Sequence, residues 1–502
     1  MPSPDRSVHN DASLYRFRRT ISFAMCILAM SCAGTIYLFS LYGPQLTAKL
    51  HYTQTQTTII ATLGNYGQYL GGAFWGSVTD RHQNDPKRVF FYAAALLFSG
   101  YSLLSATYAG TIRSTHYIVS SFFSFLVGFG SAALYHGSMG TNVRNWPTSD
   151  HGFAVGIPVS FLGLSAFIFS QLASLFFYSH DGPDKSTLDV AGLLAFLGIA
   201  TSIVALCAAF LLKDVRHLAP HGLLPRLLPQ PAASPETQDL LADGPAVEEA
   251  LSVSTEPRPF SVFEAILLTV TLVAIGGSGL FYVNTVGSIV LSLTPDQQGP
   301  SSPVFQKYQN YHVKILSVCS CIGRLLTGIG SDWLIRTRGV DRLAWVGVSA
   351  ALMALGHFGG LFVRSLVDLW AVTIVIGLAY GCINTAMPVV VSHFFGARKF
   401  ATNWGWISTG TAVGAQIFGI IFGIVYDAHQ RDGICVSRGC YIASFAVSSF
   451  ASALGIALTL YLYWKSQGSR LTRIKFAAMA FWVTTYGLLL ASHILYDTVA
   501  AT

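Results

Sequence analysis

Apolar runs of about 20 residues recur along this chain from one end to the other, the length at which a helix crosses a hydrocarbon core of about 30 Å. The solvent for most of the polypeptide is therefore lipid. The fold class this implies is an all-α polytopic membrane protein. Of 502 residues 52% are hydrophobic and only 11% are charged, whereas about a quarter of residues are charged in soluble domains, so a soluble helical enzyme is excluded.

Reading the runs between charged or Pro/Gly/Asp-rich breaks places six spans at 21–42, 57–79, 89–110, 116–140, 152–178 and 188–212, and six more at 261–292, 311–331, 343–363, 368–394, 402–426 and 440–464. The organisation expected is a polar tail over 1–20, a six-helix bundle over 21–212, a Pro-, Ala- and acid-rich flexible linker over 213–260, and a second six-helix bundle over 261–464. A basic segment over 465–502 closes the chain. Its apolar run Phe476 to Tyr496 reads either as a thirteenth span or as a helix lying in the interface. The polar start followed by a long first run reads as a signal anchor, not as a cleavable leader.

A net charge of +7 could suggest a nucleic-acid partner, but the basic residues sit in short runs between spans and form no stripe, so no nucleic acid is expected. Topology accounts for them. With the N-terminus in the cytosol, the inner segments hold 21 Lys and Arg and the outer side 8, Lys314 at the outer edge of the eighth span among them, which leaves Arg324 alone in a span interior. Six of the eight cysteines fall inside spans as packing residues; Cys435 and Cys440 share a hydrophilic loop, where a short disulfide can form. No Asn-x-Ser/Thr sequon occurs.

The second span ends Gly76-Ser-Val-Thr-Asp80-Arg81 and the eighth ends Gly328-Ile-Gly-Ser-Asp332-Trp333. The same Gly-x-x-x-Asp at the inner end of the second helix of each half is what two parallel repeats would show. The first copy, with Lys87 and Arg88 after it, resembles the signature of the major facilitator superfamily, although His-Gln-Asn-Asp-Pro spaces the basic pair further away. Three phrases resemble its nodulin-like branch and the fungal Mch-type transporters: Ala33-Gly-Thr-Ile-Tyr37-Leu-Phe-Ser-Leu-Tyr42, Thr141-Asn-Val-Arg144-Asn-Trp-Pro147 and Gly156-Ile-Pro158-Val-Ser-Phe-Leu-Gly163. The resemblance implies a major facilitator fold, a multi-pass transporter of the vacuolar membrane (the plasma membrane being the alternative) and kinship with monocarboxylate porters. Those porters typically carry an aspartate one turn before an arginine like Arg324, where this chain has Ser320, and span one lacks their lysine. Classical proton–monocarboxylate symport is therefore not expected.

Arg324 has two readings. Its guanidinium can bind an anionic solute, for which its fixed fork of donors is suited; alternatively it is structural, snorkelling or pairing with Asp332. No acidic residue lies at a span midpoint, the deepest being Glu264. His136, His312, His357 and His393 are then the groups left for proton coupling, and each alone reads equally as a packing residue. Polar residues at helical spacing mark faces toward a cavity or another helix; Tyr37, Tyr135, Tyr282, Asn384, Asn65 and Gln68 join Arg324 as candidate solute-binding positions. Gly76, Asp80, Arg81, Gly328 and Asp332 are candidates for conformational gating, each carboxylate being placed to accept from a neighbouring helix N-terminus and to pair with Arg81 or a nearby basic loop. In the linker, Glu236, Leu240 and Leu241 match an acidic dileucine signal read by sorting adaptors.

The function expected is secondary transport of a small solute, an organic anion being one class, by alternating access. A sensor that kept the fold and lost transport, and a facilitated carrier of a neutral metabolite, are the alternatives. No Gly-x-x-x-x-Gly-Lys-Ser/Thr loop is present for an ATP-driven pump, and the fourteen histidines show no clustered metal spacing. Neither an enzyme, a cofactor nor a metal site is expected; the expected partners are the solute, the bilayer and sorting adaptors.

Overall fold

The computed structural model describes residues 4–52, 54–82, 85–112, 116–180, 186–218, 262–294, 303–338, 340–429, 435 and 438–467. The apolar run 476–496 and the dileucine residues Glu236, Leu240 and Leu241 lie outside the described residues. Helix α1 (Pro4–Ala33) continues through a 3-10 turn (Gly34–Leu38) into α2 (Phe39–Leu50), so the first span is helical well before Ile21. The rest of the first half is α3 (Gln54–Arg81), α4 (Lys87–Ala109), α5 (Tyr117–Arg144), α6 (His151–Phe176) and α7 (Val190–Leu211). The second half is α8 (Val262–Leu293), α9 (Pro303–Arg338), α10 (Leu343–Gly360), α11 (Asp368–Phe395), α12 (Phe400–His429) and α13 (Ile442–Gln467). A two-stranded antiparallel pair, β1 (Tyr178–His180) with β2 (Ser186–Leu188), interrupts the helices with Ser179 opposite Thr187.

Among the described residues eleven helices are long and apolar enough to cross a membrane, and α3 is not one of them. Its 28 residues would reach about 42 Å, so length is not the reason. Composition is: Thr, Gln, Asn and Gly replace the branched aliphatics. Much of α3 faces protein, because its glycines let another backbone come close. A side-chain carbon at Gly64, Gly67 or Gly71 would run into Ser124, Phe125 or Phe129 of α5. Small residues at such a crossing maximise dispersion contact where lipid gives no hydrophobic drive between helices.

The described chain packs as two units, one of residues 1–158, 176–263 and 389–405, the other of 159–175, 264–388 and 406–502. These are not the residue sets of the two sequence halves, since α6, α11 and α12 each contribute to both. In α6 and α11 the division falls directly after an internal proline, Pro158 and Pro388. A proline cannot donate to the carbonyl four residues back and kinks the helix there. The carbonyl that Pro158 leaves open belongs to Ala154, and Asn142 Nδ2 of α5 donates to it at 2.7 Å. The same amide accepts from Trp146 Nε1 through its oxygen at 3.3 Å, so both ends of Asn142 are engaged.

In the second unit the loop after α12 is closed by a disulfide between Cys435 and Cys440, the pairing the shared hydrophilic loop suggested. It is held down by Arg438, which donates to the Leu361 carbonyl at 2.7 Å, and by the Tyr441 hydroxyl, which donates to that of Val363 at 3.1 Å.

Candidate gating junction and solute-binding positions

The last turns of α3 meet the first turn of α12 within the first unit. Gly76 lets the Ala401 carbonyl reach a place that any side chain would fill, and Gly405 does the same for the carbonyl of Gly72. One turn beyond Gly76, on the same face, Asp80 Oδ2 accepts from the Thr402 backbone N–H at 2.6 Å. The first amides of a helix have no partner within it, and a carboxylate there satisfies one while facing the positive end of the dipole.

Asp80 is also part of a buried ionic chain. Arg144, whose side chain is 0% exposed, lies 3.5 Å from Asp80 and 3.4 Å from Asp214; Arg216 closes the chain with a 2.6 Å contact to Asp214. Two arginines thus balance two aspartates, buried at the Arg144 and Asp80 end and reached by solvent at Arg216. Burial works against the charge on Asp214, but the hydrogen bonds and charge of Arg216 together with Arg144 outweigh it, so its carboxyl sits below the usual carboxylate range. Expected as the partner of Asp80, Arg81 is instead exposed, because adjacent helical residues point about 100° apart. The role falls to Arg144 from the neighbouring helix.

The end of α5 anchors the start of the linker. Asn145 accepts from Val215 N at 2.9 Å and donates to the Lys213 carbonyl at 2.8 Å, and Ser22 of α1 donates to that carbonyl at 3.3 Å. His151, at the head of α6, bridges the Trp146 carbonyl at 3.2 Å and Ser392 of α11 at 3.0 Å.

The candidate solute-binding positions are shared between the two units, Tyr37, Asn65, Gln68 and Tyr135 in the first and Tyr282, Arg324 and Asn384 in the second. Tyr135 is buried, and its hydroxyl accepts from Trp404 Nε1 at 2.9 Å. Tyr282 is fully buried with its hydroxyl 2.7 Å from Thr373 Oγ1. Asn384 donates to the Tyr380 carbonyl of its own helix at 2.7 Å. Tyr37 and Asn65 are half-buried, while Gln68 is buried with an unbonded Oε1. The histidines divide as well: His136 lies against Gly72, His357 is enclosed with neither ring nitrogen bonded, and His393 is half-buried near the end of α11.

Arg324 is 5% exposed and donates from Nη1 to the Val159 carbonyl of α6 at 2.9 Å, while its Nε has no partner. Gly163, one turn on from Val159, leaves the guanidinium its place; any Cβ would collide with it. The pairing of Arg324 with Asp332 is corrected, since Asp332 is bonded to Arg342 at 2.9 Å. Eight residues on one helix are about 12 Å apart, whereas Arg342 stands at the turn into α10 beside the carboxylate. Gly328 is buried, and its carbonyl accepts from Ser331 at 3.1 Å. Glu264, at the start of α8, pairs with Lys465 near the end of α13 at 2.8 Å.

Arg144, Asn145, Asp214 and Thr402 were not singled out as functional from sequence. Arg144 stood in a family phrase, and nothing local showed that Asp214, 70 residues on, would share it with Asp80.

Residues 23–419 match the Major Facilitator Superfamily. The chain belongs to this family. Among the curated relatives, a protein named probable transporter mch1 in Neurospora crassa is 24% identical over 89% of both chains. One named probable transporter MCH1 in Wickerhamomyces anomalus is 28% identical over 85% of this chain and 83% of its own. The fold is that of solved major facilitator structures. The proton:xylose symporter XylE superposes with a TM-score of 0.59 at 11% identity over 90% of this chain and 96% of that one. The human organic anion transporter MFSD10 superposes with a TM-score of 0.57 at 13% identity over 89% and 99%.

Proposed function

We propose that this protein is a secondary transporter that carries a small solute by alternating access, an organic anion being the class its residues favour. The observation that carries the reading is the junction of α3 with α12. One carboxylate, Asp80, holds a helix N-terminus across a backbone contact that only glycine at position 76 allows. A junction of that kind can be made whole in one state and released in another, because it rests on a few hydrogen bonds about Asp80 and Thr402 and on shape. Arg144, Asp214 and the Asn145 anchor tie it to the start of the linker, so Asp80, Gly76, Asp332 and Gly328 are assigned to gating.

Arg324 supports the anion class. A buried guanidinium with a spare Nε donor suits a carboxylate or phosphate group, and its Nη1 bond to Val159 fixes its direction. Catalysis is not part of this reading. The excess of inner Lys and Arg supports a cytosolic N-terminus. The resemblance to Mch-type transporters and the dileucine signal support the vacuolar membrane.

The test is uptake by purified protein in liposomes from an isotope-labelled pool of small carboxylates, sugars and amino acids. Carboxylate uptake should fall by about tenfold or more in Arg324→Ala, as expected when a charged hydrogen bond worth about 1.5–3 kcal/mol is lost. Neutral solutes carried equally well by wild type and variant would overturn the anion assignment. Wild-type protein that moves nothing would overturn transport itself.

A further inference from the structure

Helices α8, α9 and α11 meet in a side-chain relay that the gating junction does not use. Tyr282 of α8 lies with its hydroxyl 2.7 Å from Thr373 Oγ1 of α11, and His312 of α9 approaches the same oxygen with Nδ1 at 2.8 Å. The Thr373 hydroxyl has one proton, and the Leu369 carbonyl, 2.8 Å away in its own helix, can only accept. Thr373 therefore gives its proton to Leu369 and takes two, one from Tyr282 and one from His312. This assigns the histidine proton to Nδ1 by elimination. In the neutral ring Nε2 is then a bare acceptor, and it is buried with no partner.

We propose that His312 Nε2 is an acceptor site for a proton donor arriving during transport, either the coupling proton or a hydroxyl or ammonium group of the solute. This rests on the transporter reading. A buried lone pair with no donor is a cost that native structures avoid unless something fills the place. His357 also leaves its nitrogens unbonded, but nothing holds its tautomer, and it lies against Phe445, which separates it from Tyr282. The His312 tautomer is set by residues of two other helices, Thr373 of α11 and Tyr282 of α8.

The relay lies near the ends at which α9 and α11 begin. His312 is nine residues into α9 and Thr373 five into α11, about 13 Å and 8 Å along their axes. Trp370 meets the His312 ring edge-on at 6.4 Å and Tyr311 at 6.2 Å, and both aromatics are substantially exposed. Tyr282 from α8 is the titratable group bonded into the relay; Tyr311 on the helix of His312 packs on Trp370, and His357 and Tyr441 pack on Phe445, which lies against Tyr282; no carboxylate, lysine or arginine is bonded to the relay among the described residues. A positive charge gained by His312 would be stabilised there by hydroxyl dipoles alone, which keeps the proton exchangeable.

Two measurements decide it. In lipid nanodiscs, protein with 15N-labelled histidine should show His312 in the Nδ1–H tautomer when neutral, with Nε2 the nitrogen that gains a proton as pH is lowered. Thr373→Val should mix the tautomers. A neutral ring protonated at Nε2, or an Nε2 that neither titrates nor exchanges, overturns the proposal with no solute needed. In liposomes loaded with the same isotope-labelled pool, His312→Asn keeps a donor toward Thr373 and removes Nε2. If the donor is the proton, the variant should lose uptake driven by a pH gradient at least tenfold while solute exchange persists. If the donor is the solute, exchange should weaken at every pH, with KM raised and the unfolding temperature unchanged. Unchanged KM and unchanged gradient dependence would refute both. Should wild-type protein carry none of the pool, the transporter reading fails, and the nanodisc titration still judges His312.

Discussion

Replacing Asp80 separates the two contributions that hold α3 to α12. In Asp80→Asn the side chain still caps the helix, since asparagine caps as well as aspartate, but the charge is gone. What is lost is the charge-assisted part of the 2.6 Å bond to Thr402 N and the 3.5 Å attraction to Arg144. Arg144 keeps Asp214 at 3.4 Å, so the full penalty for a stranded buried charge does not apply. A neutral hydrogen bond is worth about 1 kcal/mol and a charged one about 1.5–3, so the closed junction should weaken by about 0.5–2 kcal/mol. Asp80→Ala removes the cap too, at about 1 kcal/mol more. At 1.4 kcal/mol per tenfold, the ratio of closed to open junction should fall about 2- to 25-fold in the first variant and about 10- to 150-fold in the second. Spin labels at the exposed positions Arg81 and Lys399 flank the junction, and the distance distribution between them reads the ratio directly. Matching distributions in wild type and both variants would refute the reasoning. Equal effects from Asn and Ala would show that charge alone holds the junction and that capping contributes nothing.

Arg144→Ala leaves Asp80 and Asp214 buried without their shared partner and should cost about 3–5 kcal/mol, seen as a large fall in unfolding temperature in detergent; a fall no larger than that of an exposed-site control such as Arg81→Ala would show that the ionic chain carries no stability. Asp214 has its carboxyl held below the usual range when folded, so its contribution is present above the unfolded pKa of about 3.9 and is lost as pH falls below that through the folded value. Acid unfolding of Asp214→Asn should accordingly show a shallower loss of stability over that window than wild type, and superimposable curves would remove Asp214 from the account.

The ionic chain also shows where local reading stops. Gly76 and Asp80 were legible because four residues on a helix share a face, and a glycine followed one turn later by a carboxylate at a helix end has few uses. Arg144 is separated from its partners by 64 and 70 positions, and no spacing rule connects residues on three segments. The tyrosines meet a related limit. Helical spacing shows that a polar face must meet something other than lipid, but not whether the partner is a solute or another side chain. For Tyr135 and Tyr282 the structure supplies Trp404 and Thr373.

What the sequence determined alone is the class of fold, because the solvent decides it. Runs long enough to span lipid must close their hydrogen bonds internally, and helices follow whatever the neighbours are. The repeated Gly-x-x-x-Asp and the asymmetry of Lys and Arg are equally local. The tertiary structure decided which charges meet: Asp80 with Arg144 and not Arg81, Asp332 with Arg342 and not Arg324, Ala154 with Asn142 in place of the amide that Pro158 lacks. Each of these depends on the distance and rotation between separate helices. Those are set by packing of small residues over the whole unit, and no window of sequence contains them.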